Sequence, residues 1–160
     1  EDYVCEADDC IGYYCGQIDD DEKVVILTND RDMCQLIDDR VAIYIINKRQ
    51  IVSKNNYSEH FEHHHTNSGL IKMITGDASD NIKGIKGVKE KTLLKYFPEL
   101  SEKKLTLEEI FSKIILIQND RKTRLKTLDN ILNGVTDGIQ KDKLYEVNEK
   151  ILKTEIRKTY

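Results

Sequence analysis

The stretch "VVILTNDRDMCQLIDDRVAIYII", residues 24–46, predicts the fold class of this chain. It opens with VVILT at 24–28, a run of β-branched and apolar residues that is typical of a buried strand in a parallel sheet. The polar segment at 30–38 predicts a short helix, and VAIYII at 41–46 predicts a second strand. A strand, a helix and a strand in succession indicate an α/β layer.

The neighbouring segments extend this layer. Residues 7–18 carry apolar side chains at helical spacing, although two glycines weaken the pattern. After a turn at 47–50, residues 51–54 predict the return strand of a hairpin. The sequence starts at Glu1 without a methionine, so we expect residues before position 1 to supply further parts of the sheet.

From about residue 67 onward the pattern is helical. Pro98, the single proline, ends one predicted helix. Thr106 and Glu109 form the pattern of a capping box at the start of another, and Gly134 is the expected C-cap of the next. The predicted helices cover residues 68–74, 88–97, 106–118, 121–134 and 141–158.

Charge is distributed unevenly along the 160 residues, which suit a single domain with a real core. The net charge is only −4. However, residues 1–32 hold eleven acidic side chains against two basic ones, and residues 83–104 hold seven lysines against three glutamates. No apolar run approaches the roughly 18–20 residues that span a bilayer, so no membrane segment is predicted.

The cysteines do not predict a zinc site. Cys5, Cys10, Cys15 and Cys34 lack the paired spacing of zinc ligands. We interpret them as small, reduced, partly buried side chains of an intracellular protein.

Three acidic groups stand out, at residues 6–9, 30–32 and 77–80. Each alone has the composition of a helix cap. The middle group follows VVILT directly, at the carboxyl end of a strand, where open α/β sheets build their sites. The first group opens the preceding helix, and the third lies at a helix-to-loop junction that could fold back over the same edge. The candidate catalytic and metal-binding residues are Glu6, Asp8, Asp9, Asp30, Asp32, Asp77 and Asp80.

So many converging carboxylates would repel each other unless cations lie among them. Oxygen-only ligands suit hard ions such as Mg²⁺ or Mn²⁺. Two such ions roughly 4 Å apart can activate a water and stabilise the leaving oxygen of a phosphodiester.

The segment "NIKGIKGVKEKT", residues 81–92, predicts a tight hairpin between two helices. Its glycines permit the tight backbone and leave amides exposed at the start of the next helix, which is a favourable place for a phosphate. Its lysines supply charge without base-specific geometry. The alternative is a glycine C-cap between packed helices with a solvated lysine face. The candidate DNA-binding residues are Lys83, Gly84, Ile85, Lys86, Gly87, Val88, Lys89 and Lys91.

Taken together, "EADD" (6–9), "TNDRDMCQLI" (28–37) and "GDASDNIKGIKGVKEKT" (76–92) resemble the motifs of the 5′-nuclease family. This family includes flap endonucleases, the 5′→3′ exonuclease domain of bacterial DNA polymerase I and bacteriophage 5′-exonucleases. The resemblance covers residues 1–97, and the remainder fits loosely. It implies a partial PIN-like α/β nuclease core at 1–66, with its N-terminal part missing, followed by an all-helical domain at 67–160.

The resemblance also implies how the site works. Residues 76–97 would form a helix–three-turn–helix element that grips the duplex backbone, with a K⁺ ion at the hairpin carbonyls as is common in the family. The acids at 6–9 look like direct or indirect ligands of one metal ion, Asp30 and Asp32 look like the next pair, and Asp77 and Asp80 look like ligands of the second ion. Residues 82–91 look like the DNA-backbone contact.

The implied protein is a Mg²⁺- or Mn²⁺-dependent 5′→3′ exonuclease or flap endonuclease of DNA replication or repair. Its substrate would be DNA with a 5′ end or flap, with RNA–DNA hybrids as a further class. We expect a cytoplasmic monomer, in a bacterium or a phage-infected cell, with no membrane partner.

The sequence departs from the family at several points. Further metal-binding aspartates and a basic arch belong upstream of "EADD", and this sequence contains neither. If the chain starts at Glu1, the metal site is incomplete and the fragment is weakly active or inactive. Lys86 stands where relatives often have proline, which should change loop stiffness more than chemistry. The histidines His63–His65 are expected in a surface loop.

Two other functions remain as alternatives. The first is a non-catalytic duplex-binding module that uses its carboxylates only as caps. The second is an RNA-directed nuclease of the same superfold, similar to toxin-like PIN proteins, although those lack the long glycine–lysine hairpin.

Overall fold

A computed structural model of the chain describes residues 7–78, 82–136 and Tyr145. Glu6, Asp80, Cys5 and, apart from Tyr145, the predicted helix at 141–158 lie outside the described residues. The described part forms two compact units that divide between Phe61 and Glu62, here called the N-terminal unit and the helical unit. None of the helices it contains has the length and apolar character needed to cross a membrane.

The N-terminal unit is the predicted α/β layer. Strands β1 and β2 run parallel, with Val24 opposite Val41, and β3 pairs antiparallel with β2, which gives the sheet order β1-β2-β3. The connection between β1 and β2 contains the short helix predicted at 30–38, which is a 3₁₀ helix over Asp32–Leu36. The elements are α1 (Ala7–Gln17), β1 (Val24–Thr28), the 3₁₀ helix (Asp32–Leu36), β2 (Val41–Ile45) and β3 (Gln50–Val52).

One face of this sheet is buried and the other is open in the part of the chain that the structure describes. Ile26, Ile43 and Val52 lie on the buried face, in a cluster that also includes side chains of α1 and of the 3₁₀ helix. On the opposite face, Val25 is 50% exposed and Leu27 is 67% exposed. Successive side chains of a strand point to opposite faces. The prediction of a fully buried VVILT strand is therefore wrong for Val25 and Leu27.

The described part of the helical unit contains four α-helices around one apolar core. The capping box at the start of α4 is confirmed, since Glu109 N–H donates to Thr106 Oγ1 at 3.2 Å and Thr106 N–H donates to Glu109 Oε2 at 2.7 Å. The bounds are α2 (Ser68–Thr75), α3 (Glu90–Tyr96), α4 (Leu107–Asn119) and α5 (Lys126–Leu132). The fully buried core side chains include Ile74, Leu93, Phe97, Leu100, Ile110, Ile114, Leu128 and Ile131.

Asn67, just before α2, is a buried polar residue with every side-chain group in use. Its Nδ2 donates to Leu100 O at 2.8 Å and to Lys103 O at 2.7 Å. Leu105 N–H donates to Asn67 Oδ1 at 2.9 Å. Because all of these groups are paired, burial of the amide joins the start of α2 to the segment before α4 without an unsatisfied polar atom.

His63 corrects the expectation of a surface loop at His63–His65. It is buried, with Nδ1 at 2.6 Å from Glu90 Oε1 and Nε2 at 3.0 Å from Ser68 Oγ. These contacts link the segment before α2 to the first residue of α3, since one imidazole reaches both. Both ring nitrogens of His63 therefore have polar partners, as a buried imidazole requires.

Candidate functional site

The first acidic group opens α1. Asp8 and Asp9 lie in its first turn, Asp8 exposed and Asp9 half-buried. Carboxylates in this position are favoured by the positive end of the helix dipole. Glu6, the remaining member of the group, lies outside the described residues.

The second acidic group directly follows β1 at the carboxyl end of that strand, with Asp30 exposed and Asp32 half-buried. Asp30 N–H donates to Thr28 Oγ1 at 2.9 Å, and Asp32 N–H donates to Asp30 Oδ1 at 2.8 Å. Asp30 therefore closes an Asx turn over the first N–H of the 3₁₀ helix, from the position before the N-cap residue Arg31. This bond brings the backbone of Asp32 against the side chain of Asp30, two residues apart.

Arg31, between these two acids, is engaged elsewhere. Its guanidinium lies over the Phe61 ring at 4.5 Å from the centroid and donates to His60 O at 3.2 Å. The cation–π contact holds the guanidinium of Arg31 against Phe61, the last residue before the helical unit begins.

The third acidic group begins at the end of α2, in the helical unit. Asp77 Oδ2 lies 3.0 Å from Lys72 Nζ, in a pair whose two side chains are about three-quarters buried. Asp77 and Ile82 also exchange backbone hydrogen bonds of 2.9 and 2.8 Å, which close a tight loop between them. Asp80 lies inside that loop and outside the described residues.

The described residues do not by themselves assemble a metal centre. Across residues 7–78, 82–136 and 145, no three His, Cys, Asp or Glu side chains are grouped in a way that could hold a metal ion. The donors predicted from the sequence are carboxylates alone. That chemistry fits Mg²⁺ or Mn²⁺ rather than a soft transition metal.

The loop after Asp77 forms a hairpin, residues 82–88, whose backbone crosses the end of α2 very closely. Gly76 has φ of +76°, and a Cβ atom on it would lie 2.3 Å from Gly84 N. A Cβ atom on Gly84 would lie 1.9 Å from Thr75 O. The crossing therefore requires glycine at both positions.

The tip of the hairpin is a type II turn. Val88 N–H donates to Ile85 O at 3.1 Å, and Gly87 has φ of +78°, the value that the third position of this turn requires. Ile85 and Val88 are buried, so any contact of theirs with DNA would go through the backbone. The predicted lysines of this segment are exposed: Lys83, Lys86, Lys89 and Lys91.

The end of α5 contacts this hairpin through three hydrogen bonds. Thr136 Oγ1 donates to Gly84 O at 2.8 Å, Lys86 N–H donates to Val135 O at 2.9 Å, and Asn130 Nδ2 donates to Lys86 O at 3.2 Å. We call residues 130–136 the α5 clasp. Sequence analysis did not predict Asn130 or Thr136 as part of the site.

The one sequence signal for the clasp is Gly134, predicted as the C-cap of α5, although the C-cap residue is Asn133 and Gly134 directly follows it. Gly134 has φ of +56°, and its N–H donates to Ile131 O at 3.2 Å. Val135 N–H donates to Asn130 O at 2.9 Å. This pair of bonds is a Schellman motif, which turns the chain after α5 back over its last turn.

The described cysteines differ in their exposure to solvent. Cys10 is exposed, whereas Cys15 and Cys34 are buried, and all three are free. Burial raises the pKa of the Cys34 thiol to about 11, and Asp30 and Asp32 act in the same direction against the opposing effect of Arg31. Burial also raises the pKa of Cys15. At neutral pH both buried thiols are therefore protonated and unreactive.

We expect iodoacetamide at pH 7.5 to alkylate Cys10 of the folded protein at least about tenfold faster than Cys34, because the thiolate is the nucleophile. Peptide mapping by mass spectrometry gives the rate for each cysteine. Unfolding in urea should remove the difference. Equal labelling of Cys10 and Cys34 in the folded protein would contradict the burial of Cys34.

Before any comparison, the described part of the N-terminal unit is an α/β layer with acidic residues directly after β1. In agreement, residues 2–62 match the family model described as "5'-3' exonuclease, N-terminal resolvase-like domain". The matched range covers α1 and the whole described sheet.

Two similar relatives are named 5'-3' exonuclease, and a third is a DNA polymerase I. The 5'-3' exonuclease of Bacillus subtilis (strain 168) is 28% identical over 154 residues, covering 89% of this chain and 46% of the relative. The 5'-3' exonuclease of Mycoplasmopsis pulmonis is 36% identical over 101 residues, covering 61% of this chain and 34% of the relative. DNA polymerase I of Caldicellulosiruptor bescii is 32% identical over 128 residues, covering 76% of this chain and 15% of the relative. The chain thus spans less than half the length of these relatives.

Solved structures show the same fold. A mutant of the bacteriophage T5 5′-exonuclease superposes with a TM-score of 0.69 at 21% identity, covering 94% of this chain and 56% of the phage chain. A bacteriophage T5 flap endonuclease in a pseudo-enzyme–product complex with DNA and metal ions has the same TM-score and identity, and the match covers 94% of this chain and 50% of that one. Together, the family match, the relatives and these structures support a 5′-nuclease family for this chain, which confirms the resemblance predicted from its motifs.

Proposed function

We propose that this chain acts in a divalent-metal-dependent, structure-specific 5′-nuclease that hydrolyses DNA phosphodiesters in replication or repair. The observation that carries the proposal is the pair of the exposed Asp30 and the half-buried Asp32 at the carboxyl end of β1, within a unit that matches the exonuclease family. Relatives named 5'-3' exonuclease and a phage relative solved with DNA and metal ions support it. A cytoplasmic monomer and activity on RNA–DNA hybrids are further parts of the proposal.

The proposed metal ligands are carboxylates in three segments. When bound, two Mg²⁺ or Mn²⁺ ions would supply a water of lowered pKa and stabilise the leaving oxygen. The protein's part is to fix the donors. The bond from Asp32 N–H occupies one oxygen of Asp30, so the Asx turn orients the other oxygen. Asp77 is oriented by Lys72 and by its backbone bonds to Ile82. The full set is Glu6, Asp8, Asp9, Asp30, Asp32, Asp77 and Asp80.

The proposed duplex contact is a helix–three-turn–helix made by α2, the hairpin and α3. Its exposed lysines would neutralise phosphates, and its buried apolar residues hold the protein backbone of the hairpin in place. A K⁺ ion at the hairpin carbonyls belongs to the proposal too. The carbonyls of Gly84, Ile85 and Lys86 already accept one hydrogen bond each, so K⁺ would have to use their second lone pairs.

We expect the full-length protein to cleave a 5′-flap DNA substrate with Mg²⁺ and to lose this activity in EDTA. Asp77→Asn combined with Asp80→Asn should lower the single-turnover rate at least about 100-fold, because a neutral amide replaces each charged ligand. Gel analysis of end-labelled substrate measures the rate. Asp120→Asn, an exposed site at the end of α4, is the matched control and should leave the rate unchanged. Cleavage that persists in EDTA, or wild-type rates in the double variant, would refute the proposal.

The non-catalytic alternative is favoured by one observation: two of the acids have ordinary structural partners. Asp30 closes an Asx turn and Asp77 pairs with Lys72, roles that need no metal ion. This function predicts salt-sensitive duplex binding without cleavage under any metal condition. The flap assay therefore separates the two functions directly.

A further inference from the structure

The turn at the tip of the hairpin has two accessible forms that differ in one peptide. Lys86 and Gly87 occupy its central positions. Type I and type II turns differ by a flip of the peptide between those two residues, through roughly 180°. Glycine tolerates both negative and positive φ. Glycine at the third position favours the type II form, and contacts with the rest of the protein decide how firmly the peptide is held in it.

Asn130 of the α5 clasp holds this peptide. Its side-chain amide donates to Lys86 O, the carbonyl of that central peptide, at 3.2 Å. Because the peptide is trans, the N–H of Gly87 points to the side opposite this carbonyl, away from Asn130. Within residues 7–78, 82–136 and 145, Gly87 N–H donates no hydrogen bond, and Gly87 itself is exposed. The clasp thus leaves one amide donor directed outward at the tip.

The other two bonds of the clasp fix the same strand of the hairpin. Lys86 N–H reaches Val135 O at 2.9 Å, and Thr136 Oγ1 reaches Gly84 O at 2.8 Å. A proline at position 86 would lack the N–H that makes the first of these bonds. With lysine at position 86, the hydrogen bond to Val135 O restricts the backbone, as the ring of a proline would do in its place.

We propose that the α5 clasp is a positioning element for DNA: Asn130 and Thr136 hold the hairpin tip in the form that presents Gly87 N–H to a backbone phosphate. This inference rests on the proposed duplex contact. Lysine side chains attract any phosphate within reach, whereas an N–H in a fixed orientation donates a hydrogen bond to a phosphate oxygen at one place. The clasp would therefore set where the backbone lies on the hairpin.

The base of the hairpin does not depend on the clasp. Ile85 and Val88 are 3% and 4% exposed in the core, and Ile85 N–H donates to Ile74 O at 2.8 Å. Loss of the clasp side chains should consequently release the tip peptide while the helical unit stays folded. This separates a positioning role from a general structural one.

The test is duplex binding by the full chain, measured by fluorescence anisotropy in EDTA with a labelled duplex that carries a 5′ single-stranded arm. Asn130→Ala combined with Thr136→Val should raise Kd about 5- to 10-fold at fixed salt. The slope of log Kd against log salt should not change, because no cation is removed. Thr136→Ser alone keeps the hydroxyl and should bind as the wild type does. Asn119→Ala combined with Thr127→Val is the matched control.

Lys89→Ala makes failure of this inference distinguishable from failure of the proposed function. It should weaken binding and lower the salt slope by about 1. If Lys89→Ala does so while the clasp variant binds like the wild type, or if the clasp variant itself lowers the slope, the positioning role is refuted and the duplex contact stands. If neither variant changes binding, both the proposed duplex contact and the positioning role are refuted. Should the double clasp variant unfold, Asn130→Ala alone decides by the same criteria, because it removes the bond to Lys86 O.

Discussion

Replacement of Gly84 by alanine is expected to destabilise the helical unit by about 3 kcal/mol or more, among the larger effects of a single substitution. The new Cβ atom would lie 1.9 Å from Thr75 O and 2.3 Å from Thr75 C. Both are backbone atoms, so no side-chain rotation relieves the overlap. The hairpin must move away from α2, which breaks the Ile85 N–H bond to Ile74 O and draws Ile85 out of the core.

Urea unfolding followed by circular dichroism measures the effect, and Gly69→Ala is the matched control in the same unit. A Cβ atom on Gly69 meets nothing within 4 Å. Because Gly69 lies in α2, alanine there should leave stability unchanged or raise it by up to about 1 kcal/mol. A Gly84→Ala protein within about 1 kcal/mol of the wild type would show that the hairpin does not cross α2 this closely.

The positions of the two glycines in the hairpin could be predicted from the sequence. Gly84 and Gly87 at their spacing indicated a tight loop, and the structure gives each a specific reason: a backbone crossing at Gly84 and a positive φ at Gly87. The capping box at Thr106 and the glycine at the end of α5, Gly134, were predictable for the same reason. Each depends on residues within a few positions in sequence, where local steric and hydrogen-bonding rules decide the backbone.

What escaped prediction depends on partners far apart in sequence. Asn67 bonds to groups 33 to 38 residues away, and Asn130 reaches Lys86 across 44 residues. An isolated asparagine carries no sign of such a partner, since it is common in loops and caps. The exposed face of β1 escaped for a related reason. A continuous apolar run does not reveal which face other elements cover.

Replacement of both Asp30 and Asp32 by asparagine is expected to lower flap cleavage by the full-length protein at least about 100-fold, or about 2.7 kcal/mol in activation free energy. Asparagine retains a side-chain oxygen, so residue 30 can still accept the N–H of residue 32 and keep the Asx turn at the start of the 3₁₀ helix. The fold should therefore persist, with a urea midpoint close to that of the wild type. Only the negative charge available to a metal ion is lost.

This substitution separates the two functions that the acidic groups allow, because capping and metal binding respond differently to it. If Asp30 and Asp32 serve only as caps, asparagine preserves their role and activity stays at the wild-type level. If they hold a metal ion, activity falls while stability does not. Asp30→Ala completes the comparison, since it also removes the Asx turn and should cost about 1 kcal/mol of stability. Asp21→Asn, exposed in the same unit, controls for the loss of one surface charge. Single-turnover rates and urea midpoints are measured for the wild type and these three variants. The double asparagine variant should lose rate without losing stability only if the carboxylates act in catalysis.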